Sequence, residues 1–349
     1  MVTNNHFNNK FKRTINVLFA AEISERVQNY FRRNLKEIKN INLIFPENAD
    51  FENLIQIAPQ VEVIIGWHPK EELLTNAKRL ELFICPGAGV KHLIDVFKEL
   101  NKLNNIILVN NHGNSYNVAQ HTVALLMSYM NKIILHHEWM KNGRWRTGDG
   151  EAASILLKSR KIGLLGYGAI NKKVHQFLSG FEVEFSVLRK NWTNFKSSLK
   201  ISKKFTSNQL YEFLRDIDIL IIAIPETSST IGLIGSNELK LLGQKGILIN
   251  ISRGSIVDEE SLYKALKNQV INGAAIDVWY ERNPKESNDG KKYPYHYPFH
   301  ELDNIVLSPH RGYSPFDDLF RWDPVIENLK RIAQNRKDFL NIVDLEEEY

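Results

Sequence analysis

Cysteine is nearly absent from the 349-residue sequence, which contains only Cys85. No disulfide can form within the chain, and this composition suits a reducing compartment. Because Cys85 lies in the apolar run LELFICPG, we expect a buried and unreactive thiol. No stretch approaches about 18 consecutive apolar residues, and the N-terminal MVTNNHFNNKFKR lacks the apolar core of a signal peptide. These absences predict a cytoplasmic protein without a membrane span.

Lysines and arginines are spread along the chain rather than run together. The 45 lysines and arginines are interspersed with 40 acidic residues, and the formal net charge is +5. This pattern favours a solvated, mixed surface over a nucleic-acid site. A modest positive excess remains compatible with small anionic ligands.

The length exceeds what one hydrophobic core usually serves, so we expect two domains. Apolar runs typical of strands alternate with helical patterns, which predicts α/β architecture with parallel sheets covered on both faces. The first series of runs is Ile15–Glu22, Ile41–Glu47, Val61–Trp67, Leu80–Gly87 and Asn105–Asn111. The second series is Arg160–Gly166, Glu182–Arg189, Asp218–Pro225, Gly246–Ser252, Gly273–Trp279 and Asn304–Pro309.

Three further segments complete the outline of the chain. Val118–Gly143 has the apolar periodicity of one long helix that ends at its glycine. The stretch Trp322–Lys337 also has a helical pattern and could pack on the first domain. The polar, aromatic and proline-containing segment Lys285–Leu302 predicts a long surface loop, with a lid or a subunit contact as alternatives for 285–297.

The second series opens with a glycine motif that lacks one member. In KIGLLGYGAINKK, Gly166 and Gly168 match the first two glycines of G-x-G-x-x-G, but Asn171 replaces the third. The first two allow a tight turn and a close approach of a pyrophosphate to a helix N-terminus, whereas the third serves helix–strand packing. We therefore expect Asn171 to strain or shift the helix while the phosphate cradle survives. An ordinary strand–turn–helix is the alternative interpretation of the motif alone.

An acidic residue is also missing after the second strand of this series. The segment SVLRKNW has no Asp or Glu to bind an adenosine ribose 2′-hydroxyl, and Arg189 and Lys190 stand at that place. Two cations suit a 2′-phosphate, which favours NADP and leaves NAD as the alternative. A solvated strand end carrying basic residues would give the same pattern.

Several motifs, in order and spacing, resemble the D-isomer-specific 2-hydroxyacid dehydrogenase family. They extend from about Leu80 to Tyr313, and the first eighty residues match only a generic α/β domain. The motifs are CPGAGVKHL (Cys85–Leu93), HGNSYNVAQHTVALLM (His112–Met127), IPETSSTIGLI (Ile224–Ile234), LINISRGSIVDEESL (Leu248–Leu262), GAAIDVW (Gly273–Trp279) and NIVLSPHRGY (Asn304–Tyr313).

The resemblance implies two doubly wound parallel-sheet domains. A flavodoxin-like substrate domain would comprise 1–120 and 320–349, and a Rossmann NAD(P)-binding domain 121–319. It also implies an NAD(P)-dependent enzyme acting on a small anionic 2-oxo acid such as glyoxylate or hydroxypyruvate, and a homodimer formed near Val118–Gly143. No metal is expected.

The resemblance also assigns site residues, and the chemistry of hydride transfer explains them. Arg253 would hold the substrate carboxylate and polarise the carbonyl, and His310 would protonate the developing alkoxide. Amides of the turn Gly87–Ala88–Gly89 could grip the carboxylate. Trp67 lines the substrate pocket or packs at the domain edge. The cofactor positions are Gly166, Gly168, Ala169, Ile170, Arg189, Lys190, Pro225, Thr230, Ile251, Ser252, Asp277 and Gly312.

One departure from the family pattern concerns the carboxylate that pairs with the histidine. In DVWYERNP the counted position of that glutamate is Arg282, and Glu281 lies one residue early. We expect Glu281 to be shifted into the role by the inserted residue, which would raise the pKa of His310. The alternative is that the partner is missing, which would favour a cofactor-sensing binding protein with weak or no catalysis.

Overall fold

The computed structural model describes residues 13–102, 104–145, 150, 152–193, 195–313 and 318–349. The chain divides into two compact units, one formed by residues up to Gly113 together with Leu319–Tyr349, the other by Asn114–Asp318. The predicted domain boundaries lie a few residues away, at 120/121 and 319/320.

Both units are built from short buried strands separated by helices. The strands are β1 (Ile15–Phe19), β2 (Ile41–Ile44), β3 (Val63–Ile65), β4 (Leu82–Ile84), β5 (Ile107–Val109), β6 (Lys161–Leu165), β7 (Glu184–Leu188), β8 (Lys203–Phe205), β9 (Ile219–Ile222), β10 (Ile247–Asn250), β11 (Gly273–Ile276) and β12 (Ile305–Leu307). The helices are α1 (Glu25–Leu35), α2 (Phe51–Ile57), α3 (Glu71–Asn76), α4 (Lys91–Leu100), α5 (Ser115–Met130), α6 (Ile133–Lys141), α7 (Ala169–Leu178), α8 (Leu210–Asp216), α9 (Ser236–Leu242), α10 (Glu259–Lys267) and α11 (Asp323–Ala333).

The first unit contains a parallel sheet with strand order β2-β1-β3-β4-β5. Its central strands are buried on both faces, which explains why they read as continuous apolar runs. One face packs against α2, α3 and α4, and the other packs against α1 and α11. The C-terminal helix α11 is fixed to α1, because the Tyr30 hydroxyl donates to Asp323 Oδ1 at 2.6 Å. The chain thus returns to this unit after the second sheet.

The second unit contains a seven-stranded parallel sheet with order β12-β11-β10-β9-β6-β7-β8. Helices α5 and α7 pack on one face, and α8, α9 and α10 pack on the other. The strand order reverses direction at β6, where the glycine turn follows, and ligands of doubly wound folds bind at such switch points. The predicted fold class, α/β with two doubly wound parallel sheets, is confirmed.

The prediction of six strands in the second sheet is wrong, because Lys203–Phe205 forms a seventh strand at the edge. This strand has only three residues, and both lysines are exposed. It therefore lacks the apolar run from which the other strands were predicted.

The prediction of one helix over Val118–Gly143 is also wrong. The structure contains α5 and α6, separated at Lys132, whose φ of 53° is left-handed. Hydrophobic periodicity continues across this break, since it reports side-chain character rather than backbone angles. Helix α5 is fixed to the second sheet by the Tyr129 hydroxyl, which donates to the Asn272 carbonyl at 2.8 Å. No helix in the described part of the chain has the length and apolarity needed to cross a membrane.

Candidate nucleotide and active site

The glycine turn after β6 has the geometry of a phosphate-binding turn. Gly166 has a φ of +81°, and a Cβ there would lie 2.6 Å from the Ala223 carbonyl oxygen, so only glycine is accommodated. Gly168 precedes α7 with an extended backbone, and a Cβ there would meet no atom within 4 Å. The space above Gly168 is therefore open for a ligand.

The backbone amides at this turn are available to an anion. No side chain caps α7, and among the described residues no backbone hydrogen bond is donated by the amides of Tyr167, Gly168, Ala169 or Ile170. Unpaired amides at a helix N-terminus carry partial positive charge and bind phosphate groups. These residues fit the pyrophosphate of a dinucleotide.

Asn171 forms polar bonds to the glycine turn that it was expected to strain. Its buried side-chain nitrogen donates to the carbonyls of Gly166 at 2.7 Å, Leu165 at 3.3 Å and Ile221 at 3.4 Å. Helix α7 begins directly after Gly168, two residues before Asn171. The amide oxygen has no hydrogen-bond partner among the described residues. Asn171 therefore replaces close helix–strand packing by polar bonds to the turn.

A buried pair beneath this turn was not predicted from the sequence. The Tyr167 hydroxyl lies 2.7 Å from His175 Nδ1, and burial lowers the pKa of His175 to about 4. The low pKa favours the neutral imidazole, whose Nδ1 can accept a hydrogen bond from the Tyr167 hydroxyl. This bond attaches the middle residue of the glycine turn to the body of α7.

Cations and aromatic rings cluster where the acidic residue is missing. The half-buried Arg189 places its guanidinium carbon 4.7 Å from the ring centre of Phe195 and 5.5 Å from that of Trp192. The Lys204 nitrogen lies 5.2 Å from the Trp192 ring centre, while Lys190 is exposed. Lys204 was missed because it belongs to the unpredicted edge strand β8.

The turns after β9 and β10 are held by their own side chains. The Thr230 hydroxyl donates to the Pro225 carbonyl at 2.7 Å. Asn250 accepts from the Ser252 amide at 3.1 Å and donates to the Arg253 carbonyl at 2.9 Å. Ile251 and Ser252 are buried, whereas Arg253 is half-buried. Asn250, which the sequence analysis did not single out, therefore shapes the turn that presents Arg253.

Asp277, at the end of β11, organises the histidine loop. Its buried carboxylate accepts from the Ser308 hydroxyl at 2.5 Å and from the amides of Arg311 at 2.7 Å and Gly312 at 2.9 Å. His121 Nε2 lies 3.3 Å from Asp277 and 2.9 Å from the Ser308 hydroxyl. Burial opposes ionisation of Asp277, but these hydrogen bonds prevail and hold its pKa below the ordinary value. Its predicted contact with a cofactor stays a prediction.

His310 lies in this loop with a left-handed φ of 55°. Burial lowers the pKa of the imidazole, and the nearby charges of Arg253 and Arg282 lower it further, while Asp277 opposes them. The predicted upward shift is therefore wrong. The physical reason is first the burial of the imidazole and then the charges of Arg253 and Arg282, which together outweigh the opposing effect of Asp277.

Glu281 lies next to His296 rather than next to His310. Its carboxylate lies 3.7 Å from His296 Nε2, and Glu281 is not among the charged groups acting on His310 in the described part of the chain. The amides of Tyr280 and Glu281 both donate to the Pro294 carbonyl, at 3.1 and 2.9 Å. These bonds fix the inserted segment so that the expected pairing of Glu281 with His310 does not form.

In the first unit, the predicted carboxylate turn follows β4. Asn110 donates to the Ala88 carbonyl at 2.9 Å, and the Asn111 amide donates to the Gly87 carbonyl at 3.1 Å. Within the described residues, no backbone hydrogen bond is donated by the amides of Gly87, Ala88 or Gly89, which suits anion binding. The Trp67 ring centre lies 6.1 Å from that of Trp322, so packing accounts for at least part of its role.

Comparison with known proteins agrees with this geometry. The family model for the NAD binding domain of D-isomer specific 2-hydroxyacid dehydrogenases matches residues 123–312. A D-3-phosphoglycerate dehydrogenase from Archaeoglobus fulgidus is 29% identical over 301 residues, which cover 84% of this chain and 52% of that protein. A glyoxylate/hydroxypyruvate reductase from Arabidopsis thaliana is 25% identical over 323 residues, which cover 91% of each.

A solved structure is similar over nearly the full length. The NADPH-dependent glyoxylate/hydroxypyruvate reductase from Sinorhizobium meliloti, in complex with NADP and malonate, is 25% identical with a TM-score of 0.69, covering 95% of this chain and 98% of that one. The second unit thus has the fold and turn of a dinucleotide-binding domain. The chain belongs to the D-isomer specific 2-hydroxyacid dehydrogenase family, whose members are NAD(P)-dependent oxidoreductases. The predicted family is confirmed.

Alanine substitutions of the two glycines of the turn should have different effects on protein stability and on NADPH binding. Gly168→Ala should leave the free energy of unfolding within about 0.5 kcal/mol of wild type but weaken NADPH binding about tenfold or more, because the methyl group occupies the open space. Gly166→Ala should cost about 1–3 kcal/mol, since its backbone is left-handed and crowded. Denaturant unfolding measures the free energy of unfolding, and fluorescence titration measures the affinity for NADPH. Unchanged NADPH affinity in Gly168→Ala would place the phosphates elsewhere.

Proposed function

We propose that this protein reduces a small 2-oxo acid with a nicotinamide cofactor, of the glyoxylate or hydroxypyruvate type. The observation that carries the proposal is the grouping of Arg253, Asp277 and His310 at the carboxyl ends of the adjacent strands β10, β11 and β12. A guanidinium and an imidazole beside a dinucleotide-binding turn match what carbonyl reduction requires.

Each of these side chains has a distinct role in the proposed reaction. The cofactor, when bound, supplies the hydride to the carbonyl carbon. Arg253 binds the substrate carboxylate and polarises the carbonyl. His310 gives its proton to the carbonyl oxygen as that oxygen gains charge. Asp277 acts as a positioning residue, because its bonds to the amides of Arg311 and Gly312 fix the backbone next to His310.

We also propose that NADPH is preferred over NADH. Arg189, Lys190 and Lys204 bring three cations to the ends of β7 and β8, where the adenosine ribose lies in Rossmann folds. A 2′-phosphate would pair with these groups, whereas a 2′-hydroxyl would find no acceptor carboxylate in SVLRKNW. The similar Sinorhizobium meliloti reductase is described as NADPH-dependent, which supports this preference.

The assembly that we propose is a homodimer. Helix α6 has no buried residue in the described chain, and it exposes 55% of Ile133, 49% of Ile134 and 57% of Met140. Apolar side chains on one short helix favour an interface with another copy.

A second candidate function is a cofactor-sensing binding protein. It is favoured by one observation, the position of Arg282 where family members carry the glutamate that pairs with the histidine. The two candidates differ in turnover: the enzyme oxidises NADPH with a 2-oxo acid, whereas the sensor binds NADPH without consuming it.

The pH dependence of reduction tests the role of His310. Because the pKa of His310 lies below its ordinary value, the protonated acid is present only at low pH and is lost as pH rises through that lowered pKa. The rate of reduction should therefore be higher near pH 5.5 than near pH 7.5, and should decline at a lower pH than an ordinary histidine would give. NADPH consumption with glyoxylate or hydroxypyruvate, followed across this range, measures it.

Substitutions of His310 and Glu281 test which of these groups controls the rate of reduction and its pH dependence. His310→Gln should lower kcat by about 10²–10⁴-fold, the usual contribution of a positioned acid. Glu281→Gln should leave the pH profile unchanged, since its carboxylate lies by His296. A profile that moves in Glu281→Gln would show that Glu281 pairs with His310 in solution. Absence of turnover with every 2-oxo acid would favour the sensor.

Arg253→Lys tests the substrate clamp. A lysine keeps the charge but cannot reproduce a bidentate bond to a carboxylate, so kcat/KM should fall by about a hundredfold or more. The affinity for NADPH should change less than about threefold, which is about 0.65 kcal/mol. A lysine variant with near-normal turnover would assign Arg253 to structure alone.

Cofactor preference is tested by removing single cations. In wild type, the Kd for NADPH should be lower than that for NADH. Arg189→Ala and Lys204→Ala should each weaken NADPH binding about tenfold, the value of one charge-assisted contact, and leave NADH nearly unchanged. Lys196→Ala removes an exposed cation from the same segment and serves as the matched control. Equal losses for NADH and NADPH would contradict the assignment.

A further inference from the structure

The segment that leads from β11 to Arg282 lies against both neighbouring strand ends. A Cβ at Gly254 would collide with the backbone of Trp279, so the turn bearing Arg253 touches this segment directly. The Trp279 indole nitrogen donates to the Ser308 carbonyl at 2.8 Å, two residues before His310. Arg253, Arg282 and His310 thus follow three adjacent strands and gather at one edge of the sheet.

Arg282 carries a positive charge that no described carboxylate neutralises. Arg282 is exposed, and among the described residues no carboxylate forms an ion pair with it. Of the nearby carboxylates in the described part of the chain, Glu281 and Glu259 lie by His296. Glu226 accepts from the Ser255 hydroxyl, and Asp277 accepts from Ser308 and the histidine loop. The described part of this edge therefore presents the two guanidinium groups of Arg253 and Arg282.

The electrostatic field at His310 agrees with this count. Both Arg253 and Arg282 lower the pKa of His310, so both charges act at the place where the carbonyl oxygen would be protonated. A 2-oxo acid with one carboxylate satisfies one guanidinium fork. A second anionic group on the same molecule would satisfy the second guanidinium and offset the repulsion between the two cations.

We propose that Arg282 binds a second anionic group of the substrate, so that the preferred substrate is a 2-oxo acid bearing a further carboxylate or phosphate. This inference rests on the proposed function and narrows its substrate class. Arg282 is then a specificity-determining residue, placed where the family carries a glutamate.

The experiment compares 2-oxo acids that carry one anionic group with 2-oxo acids that carry a second one. With NADPH, kcat/KM is measured for glyoxylate and pyruvate, for the dicarboxylates oxaloacetate and 2-oxoglutarate, and for 3-phosphohydroxypyruvate. The proposal expects the wild type to favour at least one dianionic class by about tenfold or more over the monoanions. Which of the two classes is faster distinguishes a carboxylate from a phosphate as the second group.

The decisive test compares wild type with Arg282→Gln in the ratio of kcat/KM for dianionic to monoanionic substrates. Loss of its charge also changes His310, but this effect is common to all substrates and cancels in the ratio of dianion to monoanion. The ratio should fall about tenfold to a hundredfold, and Arg282→Lys should retain part of it. Lys285→Gln, which removes an exposed cation three residues away, is the control and should leave the ratio unchanged.

A second measurement does not depend on turnover. Malonate, which cannot be reduced, should bind the protein–NADPH complex more tightly than acetate, and Arg282→Gln should abolish the difference. If glyoxylate is reduced but the ratio is the same in wild type and Arg282→Gln, the inference is overturned and the proposed function stands. If NADPH binds and no 2-oxo acid of either class is reduced, the proposed function itself fails.

Discussion

The carboxylate of Asp277 is the interaction on which the histidine loop depends. It is buried at the end of β11 and accepts hydrogen bonds from the Ser308 hydroxyl and two consecutive backbone amides, with His121 beside it. Burying a charge is costly unless it is fully bonded, so the loop has one arrangement that satisfies this group. The left-handed backbone of His310 is held in place by that requirement. The position of the candidate acid is thus determined by a residue that need not touch the substrate.

Parallel sheets supply the rest of the geometry. Because all seven strands of the second sheet run in the same direction, the turns that follow β6, β9, β10, β11 and β12 meet at one edge. The apolar cores on both faces keep these strand ends in register, and polar side chains such as Asn171, Thr230 and Asn250 shape each turn locally. The buried strands therefore provide the stability, and the turns at this edge of the sheet carry the polar and charged side chains of the candidate site.

Two departures from the family pattern have different consequences. Asn171 is a substitution that the fold absorbs, since its amide bonds to the carbonyls that close helix–strand packing would otherwise cover. Arg282 is a substitution that changes the chemistry, because it puts a positive charge beside the imidazole where a negative one is usual. The first leaves the geometry of the glycine turn intact. The second contributes to lowering the pKa of His310 and, in our proposal, selects the anionic groups of the substrate.

The sequence by itself determined the α/β class, eleven of the twelve strands in the described part of the chain, and the glycine turn. These features depend on local patterns: apolar runs for buried strands, glycine for a left-handed turn and motif order for strand ends. Only the tertiary structure decided the edge strand β8, the break at Lys132 and the side on which Glu281 lies. Edge pairing, helix breaks and the direction of a side chain depend on partners distant in sequence. The Pro294 carbonyl, thirteen residues after Glu281, is such a partner, and no count of spacing within DVWYERNP contains it.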